Sequence, residues 1–278
     1  MLLVKRAAVS VTQLHRPHHV RFNAAGIGAA GLGPLASAGT ERGRHADRTK
    51  QRSTSVSTPP QPMVHPRLND HGVAVTIRRP SRATSAQTWA DASAVATWTP
   101  GSPAPQRLNG CALSAWKPPT DVAGWRAVAG QNDAVAAQDA GRPLAKTGAG
   151  SAKRPSAGVL IVEPDGRIWL VHPTNQFGGY VATFPKGSLE PGMSLQQTAI
   201  REAFEESGLH VRIIAWLDDV ERSTSLARFY VAERVAGTPA DMGWETQAVS
   251  LAPLDAAESI LTASVDKALL AALRRWSA

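Results

Sequence analysis

The chain has 278 residues, a formal net charge of +8, one cysteine and 43% hydrophobic residues. That length suits one large domain or two small ones, and a single cysteine excludes both an intrachain disulfide and a thiolate metal cluster. Cys111 is compatible with a reducing compartment, so a cytoplasmic location is expected.

The charge is unevenly placed. Residues 1 to 100 carry 13 Lys/Arg against 4 Asp/Glu, and residues 101 to 278 carry 17 against 18. The first part is rich in Ser, Thr, Pro, Ala, Arg and His with little apolar periodicity, a composition that buries too little apolar surface to offset the entropy of ordering. A basic disordered segment is expected over 1–105, followed by an arm and linker over 106–156 and a folded domain over 157–278. Three readings stand open for the basic segment. It could be a leader, since no acid precedes Glu41. It could be an arm that attracts phosphate polymers without specificity, or a tail without function. In each case residues 1 to 100 are expected to be dispensable for catalysis. The Gly-rich run at 24–39 is broken by Pro34 and is too short to span a membrane. Neither a specific nucleic-acid partner nor a membrane is expected.

Between 101 and 131, Trp116 and Trp125 suit an arm packed on a neighbour, and the Ala, Gly and Lys-rich stretch 132–156 reads as a linker. Regular pattern begins with two β-rich runs, 159–163 and 167–172, around the turn Pro164-Asp165-Gly166. Further strands are expected at 182–185, 211–217, 226–235 and 248–254. Helices are expected at 255–262 and 264–276, the second with Val265, Ala268, Leu269, Ala272 and Leu273 in the i, i+3, i+4 pattern.

One more helix lies between the strands, and both its ends are legible. Ser194 with Gln197 fits a capping box, and Gly208 fits the left-handed position just past a helix end, giving a helix over 195–207. At 100° per residue, Ile200 and Phe204 fall on one side and Glu202, Glu205 and Glu206 converge on the other. Like charges at this spacing each cost a helix roughly 0.2 to 0.5 kcal/mol, and negative charge in the last turn opposes the macrodipole. Local stability does not explain the cluster. A hard cation would, because clustered carboxylate oxygens are the ligands that Mg²⁺, Mn²⁺ or Ca²⁺ prefer.

The stretch from Gly187 to Leu209 resembles the Nudix box. It offers Gly187, then Met193 where that pattern has glutamate, then Arg201-Glu202, Ala203 at the apolar place, Glu205-Glu206, Gly208 and Leu209. The resemblance implies an α/β/α sandwich with a mixed sheet and a metal-dependent hydrolase of a nucleoside diphosphate linked to another moiety. It further implies Mg²⁺ (or Mn²⁺) held by Glu202, Glu205 and Glu206 with the Gly187 carbonyl as a further ligand, and Arg201 orienting the glutamates. Met193 removes an orienting partner of Arg201, and Glu190 is the residue that could replace it.

Around the box, Lys186 is a candidate for a substrate phosphate. By the same resemblance Glu245 is the candidate metal ligand or general base, with Glu205 the next candidate base. Trp244, Phe177 and Tyr180 are candidate substrate contacts, whereas His172 is expected to be structural. The alternative is a Nudix-like module that binds a nucleotide without cleaving it, with Met193 in its favour. A homodimer is compatible with the sequence.

Overall fold

The computed structural model describes residues 61–130, 153–278 and, between them, 135, 138, 139, 141, 142 and 144. The leader-like opening and the Gly-rich run lie outside the described residues.

A seven-stranded mixed sheet forms the centre. Its strands are β3 (Ala96–Trp98), β6 (Arg154–Val162), β7 (Ile168–Pro173), β8 (Lys186–Ser188), β9 (Leu209–Glu221), β10 (Ser225–Gly237) and β11 (Thr246–Ala252). They run in the order β3-β11-β7-β6-β10-β9, with β8 also on β6. β6 and β10 are parallel, and the other pairs are antiparallel.

Two-residue periodicity sends alternate side chains of each strand to opposite faces. Val159, Ile161, Trp169, Tyr230 and Val249 join one core with Ala199 and Ile200. These last two belong to helix α3 (Leu195–Ser207), which follows α1 (Gln87–Ala90) and α2 (Val122–Ala129). Leu160, Leu170, Phe229 and Val231 join a second core with Leu269, Leu270 and Leu273 of α5 (Ser264–Ser277), which succeeds α4 (Leu254–Ile260). Helices therefore cover both faces, as the α/β/α expectation requires. In α5 the buried set departs from the expected stripe: Ala268 is exposed, and Asp266 is buried in an ion pair with Arg222.

Two expectations are corrected. Residues 182–185 form no strand beyond a single bridge from Thr183 to Val171, and the extended pairing falls on Lys186–Ser188 instead. Pro185 has no backbone N–H to donate, so the ladder is not continued there. The disordered segment expected over 1–105 does not extend through its last part, because residues 61–105 fold onto the domain. β1 (Met63–Val64) pairs with β2 (Thr76–Ile77), and β3 adds an edge strand to β11, with Trp98 opposite Val249. Ile77, Trp89 and Trp98 are buried.

Buried arginines fasten this segment. Arg167, beside the hairpin turn, is 1% exposed and donates to the carbonyls of Thr88, Trp89 and Asp91 at 2.7–3.1 Å. Arg234 pairs with buried Glu163 and donates to the carbonyls of Leu108 and Ala112, in the small hairpin of β4 (Arg107–Leu108) and β5 (Cys111–Ala112). Arg228 binds Asp219, Asp139 and the Arg142 carbonyl, so described residues of the expected linker are also engaged. A guanidinium has five donors in a fixed fork, which lets one side chain satisfy carbonyls and carboxylates from separate segments.

Trp98 is 5% exposed in the core, so Trp98→Ala should cost about 3–5 kcal/mol in chemical unfolding. A chain starting at Ser102, which lacks β3, Trp89 and Trp98, should melt well below the full chain. Coincident unfolding curves for the two chains would contradict the packing described above.

Candidate active site

α3 is built as its sequence dictates. The Ser194 Oγ accepts from the Gln197 N–H, and the Gln197 side chain accepts from the Ser194 N–H. At the other end Gly208 has φ 72°. A side chain there would be strained by the left-handed backbone and would run into the Thr238 carbonyl.

The last two turns of α3 face a cleft of about 1050 Å³. Its floor holds Lys186, Gly187, Glu190, Arg201, Glu202 and Glu205, and Trp244 and Glu245 come from the loop before β11. Glu202 is buried, with its carboxylate against the backbone of Gly187, where any Cβ would collide with it. Glycine at 187 is thus a requirement of the glutamate beside it. Glu206 accepts the Lys186 N–H at 3.0 Å, which fastens the last turn of α3 to β8.

Arg201 is the centre of the charge arrangement. Its guanidinium donates to Glu190 at 2.7 Å, to Glu202 at 3.0 Å and more weakly to Glu205 at 3.4 Å. Glu190, rather than Met193, is thus the residue of the loop before α3 that pairs with Arg201. Met193 is 8% exposed, packs in the core and lines a small cavity shared with Arg201. The Arg201 Nε is buried without a partner among the described residues.

One guanidinium does not neutralise this much negative charge. Burial, then Glu206 and Glu205, push the Glu202 carboxyl up to about 9, and burial pushes Glu206 up to about 7 despite Lys186. Glu205 and Glu245 also lie above the usual carboxylate range, each chiefly through burial, with Asp70 contributing to both. Buried carboxyls that hold protons so high are favourable places for a cation, which would reverse each shift. The donor set of hard carboxylate oxygens fits Mg²⁺ or Mn²⁺ by chemistry. It is not a preformed cage: among the described residues no group of three His, Cys, Asp or Glu is already arranged around a common ion position.

Of the residues singled out in the sequence, Lys186, Gly187, Arg201, Glu202, Glu205, Trp244 and Glu245 line the cleft, and Glu206 abuts Lys186 behind it. Phe177 and Tyr180 do not line it. Phe177 is 82% exposed in the loop after β7, and the Tyr180 ring sits under the Lys186 ammonium at 5.4 Å and accepts Arg222 at its hydroxyl. The two glycines beside them turn the chain at φ 69° and 81°. His172 bonds Ser250 at 2.7 Å, and burial pushes its imidazole down to about 4, in keeping with a structural role.

Other cleft residues escaped the sequence reading: Arg67, Leu68 and Asp70 from the turn between β1 and β2, Trp116 and Lys117 from the stretch before α2, and Asp241. The Asp70 carboxylate accepts the Trp244 indole N–H at 3.0 Å. The Trp116 ring stacks on His210 at 3.9 Å and meets Phe204 edge-on. Only the tryptophans of this segment, isolated in polar surroundings, signalled that it packs.

The raised carboxyls give a pH dependence with a definite sign. In the unfolded chain these glutamates lose their protons near 4.5, whereas Glu206 holds one to about 7 and Glu202 to about 9. Over that window the folded state binds more protons, so stability falls as pH rises. In EDTA the melting temperature should drop between about pH 5 and about pH 9. Mg²⁺ should reduce the drop by replacing the protons, and Glu202→Gln, which stays neutral, should flatten it. A drop as steep in Glu202→Gln as in the native chain would contradict the assignment.

Residues 152–273 match the family model described as NUDIX domain. An RNA pyrophosphohydrolase of Caulobacter vibrioides is 41% identical over 56 residues, 20% of this chain and 33% of that protein. One of Escherichia coli is 39% identical over 65 residues, 22% of this chain and 35% of that protein. The chain thus spans about a third of the length of these curated relatives. Among solved structures, a NUDIX hydrolase from Nitrosomonas europaea aligns with a TM-score of 0.39 and 16% identity, covering 45% of this chain and 90% of that one. An Ap4A hydrolase of C. elegans aligns with a TM-score of 0.37 and 22% identity, covering 44% and 96%. With the box helix, the mixed sheet and the covering helices already in place, residues 152–273 of this chain are a domain of the Nudix hydrolase family.

Proposed function

We propose that the protein is a metal-dependent hydrolase that cleaves the pyrophosphate bond of a nucleoside diphosphate linked to another moiety. The observation that carries the reading is the crowding of Glu202, Glu205 and Glu206 at one end of α3, with Arg201 donating to the first two, Lys186 fastening the third, and all three carboxyls raised chiefly by burial. No gain in stability explains such a cluster. The activity of the curated relatives, RNA pyrophosphohydrolases, belongs to the same chemistry of phosphorus anhydrides.

In this reading Glu202, Glu205 and Glu206, with the Gly187 carbonyl, would hold Mg²⁺ or Mn²⁺. Bound there, the cation would supply charge neutralisation at the phosphate oxygens and acidify an attacking water. The chain's own residues do the rest. Arg201 holds Glu202 and Glu205 in register and is itself held by Glu190. Lys186 meets a phosphate from the edge of the floor. Glu245, on the rim and made more basic chiefly by burial, takes a proton from water.

The second reading, a module that binds nucleotide without cleaving it, draws on Met193 and on the unpartnered Arg201 Nε. A panel of a nucleoside triphosphate, Ap4A, ADP-ribose and 5′-triphosphorylated RNA, with Mg²⁺ or Mn²⁺, separates the two. Turnover should appear with at least one substrate and be nearly abolished by Glu202→Gln or Glu206→Gln. Glu245→Gln should cost about 10² to 10⁴ in rate. Binding without turnover across the panel would favour the second reading.

Glu190 and Met193 test how Arg201 is oriented. Glu190→Gln should lower turnover by about 10-fold, the lower part of the range for an outer partner of a metal site. Adding Met193→Glu should restore much of the loss, because a carboxylate at 193 shares a cavity with Arg201. An inert Glu190→Gln would show that Arg201 needs no such partner.

A further inference from the structure

The floor of the cleft comes from residues 152–273, but two of its walls do not. One is the turn carrying Arg67, and the other is the stretch carrying Lys117. Their backbones are fixed. His65 is 2% exposed, its Nε2 lies 3.1 Å from the Thr246 carbonyl, and its Nδ1 accepts the Arg67 N–H at 3.0 Å, which sets Nε2 as the donor. The Trp244–Asp70 hydrogen bond ties the same turn to the loop of Glu245. Next to Lys117, Trp116 is stacked on His210.

The charged ends on these fixed backbones are barely engaged. Arg67 has one contact, with Asp241 at 3.4 Å, and its side chain is 52% exposed. Lys117 is exposed and has no hydrogen bond or ion pair among the described residues. The floor cations are placed differently. Arg201 is taken up by three glutamates, and Lys186 lies over the Tyr180 ring beside Glu206. A diphosphate cleaved at the floor would have its charge met there by the cation and Lys186. Two further cations on opposite segments have no work in that reaction, and cations of this kind concentrate anions in a cleft. The cleft is also at or above the upper end of the roughly 300–1000 Å³ of ordinary ligand sites, which suits an extended ligand.

We propose that Arg67 and Lys117 bind phosphates beyond the pair flanking the cleaved bond, so that the preferred substrate is a nucleoside bearing a chain of three or more phosphates. The inference rests on the hydrolase reading above and narrows its substrate class. The positions are preorganised, so a phosphate meets an anchored backbone and only the side-chain ends must be ordered.

The test compares ATP with ADP-ribose on the full chain. Arg67→Ala and Lys117→Ala should each raise the ratio of KM for ATP to KM for ADP-ribose by about 10-fold, the loss of one charge-assisted contact. In EDTA, the Kd for a methylene-bridged ATP analogue should weaken by a similar factor, and Arg67→Lys should recover part of both losses. Asp241→Asn frees Arg67 from its present contact and should lower the ratio or leave it where it is, never raise it. A 5′-triphosphorylated RNA oligomer presents the same phosphate chain and should respond as ATP does.

Equal shifts for ATP and ADP-ribose, or an Asp241→Asn effect matching that of Arg67→Ala, would reduce Arg67 to a structural role and overturn the inference while leaving the hydrolase reading intact. An effect confined to the RNA would place the two cations on the RNA body and also overturn it. A native chain that neither binds nor cleaves any nucleotide would defeat the hydrolase reading, and this inference with it.

Discussion

One guanidinium under three carboxylates sets the terms for the rest of the site. Arg201 is where the repulsion among Glu190, Glu202 and Glu205 is offset, and it can serve all three because its donors are spread over a rigid plane. The neighbours follow from that placement. Glu202 must lie deep enough to reach Arg201, which presses its carboxylate on residue 187 and leaves room for glycine alone. Glu206 then falls behind the cluster, where the Lys186 N–H fastens it. Offset is not neutralisation, however. The carboxyls of Glu202 and Glu206 remain well above their ordinary range, so the folded chain carries a standing preference for positive charge at that spot. The helix is costly in the place where that preference is useful.

A second set of arginines does the opposite kind of work. Arg167, Arg228 and Arg234 are buried, and each spends its donors on carbonyls or carboxylates of chain segments distant in sequence. Burying a guanidinium is expensive unless nearly every donor is met. These three are met by residues 88–91, 139–142 and 108–112, so the sheet and the segments before it satisfy each other. The segment in turn supplies what the sheet lacks, an edge strand beside β11 and two tryptophans over Trp169 and Val249.

This mutual dependence explains what was and was not legible in the sequence. α3 could be placed to the residue, since Ser194, Gln197 and Gly208 are local signals with local causes. The longer strands β6, β7, β9, β10 and β11, unlike β8, were legible to within a few residues, because Val, Ile and Leu runs buried on both faces need no partner to be recognised. Residues 61–105 were not. Their order rests on pairings more than a hundred residues away, such as Trp98 with Val249 and His65 with Thr246, and their polar composition conceals the few apolar anchors. Glu190 was visible as a candidate, but its role depends on how the loop 187–194 folds back over Arg201, which spacing alone does not fix. Phe177 and Tyr180 were misplaced for a related reason: Asn175, Gln176 and Gly178 have left-handed backbone, a turn of the loop that residue spacing does not reveal.

The division between floor and walls has a consequence for how the activity of such a chain is read. The carboxylates, Arg201 and Gly187 lie within the matched domain. Arg67, Asp70, Trp116 and Lys117 lie outside it, yet share the same cleft and, through Asp70, raise Glu205 and Glu245. A comparison confined to the domain therefore reads the floor and passes over the walls. The walls are held to the domain by His65, by the Trp244–Asp70 hydrogen bond and by the stacking of Trp116 on His210. Discrimination between one phosphate ester and another depends on contacts that differ between them, and in this cleft the charged groups least committed to the fold are on the walls.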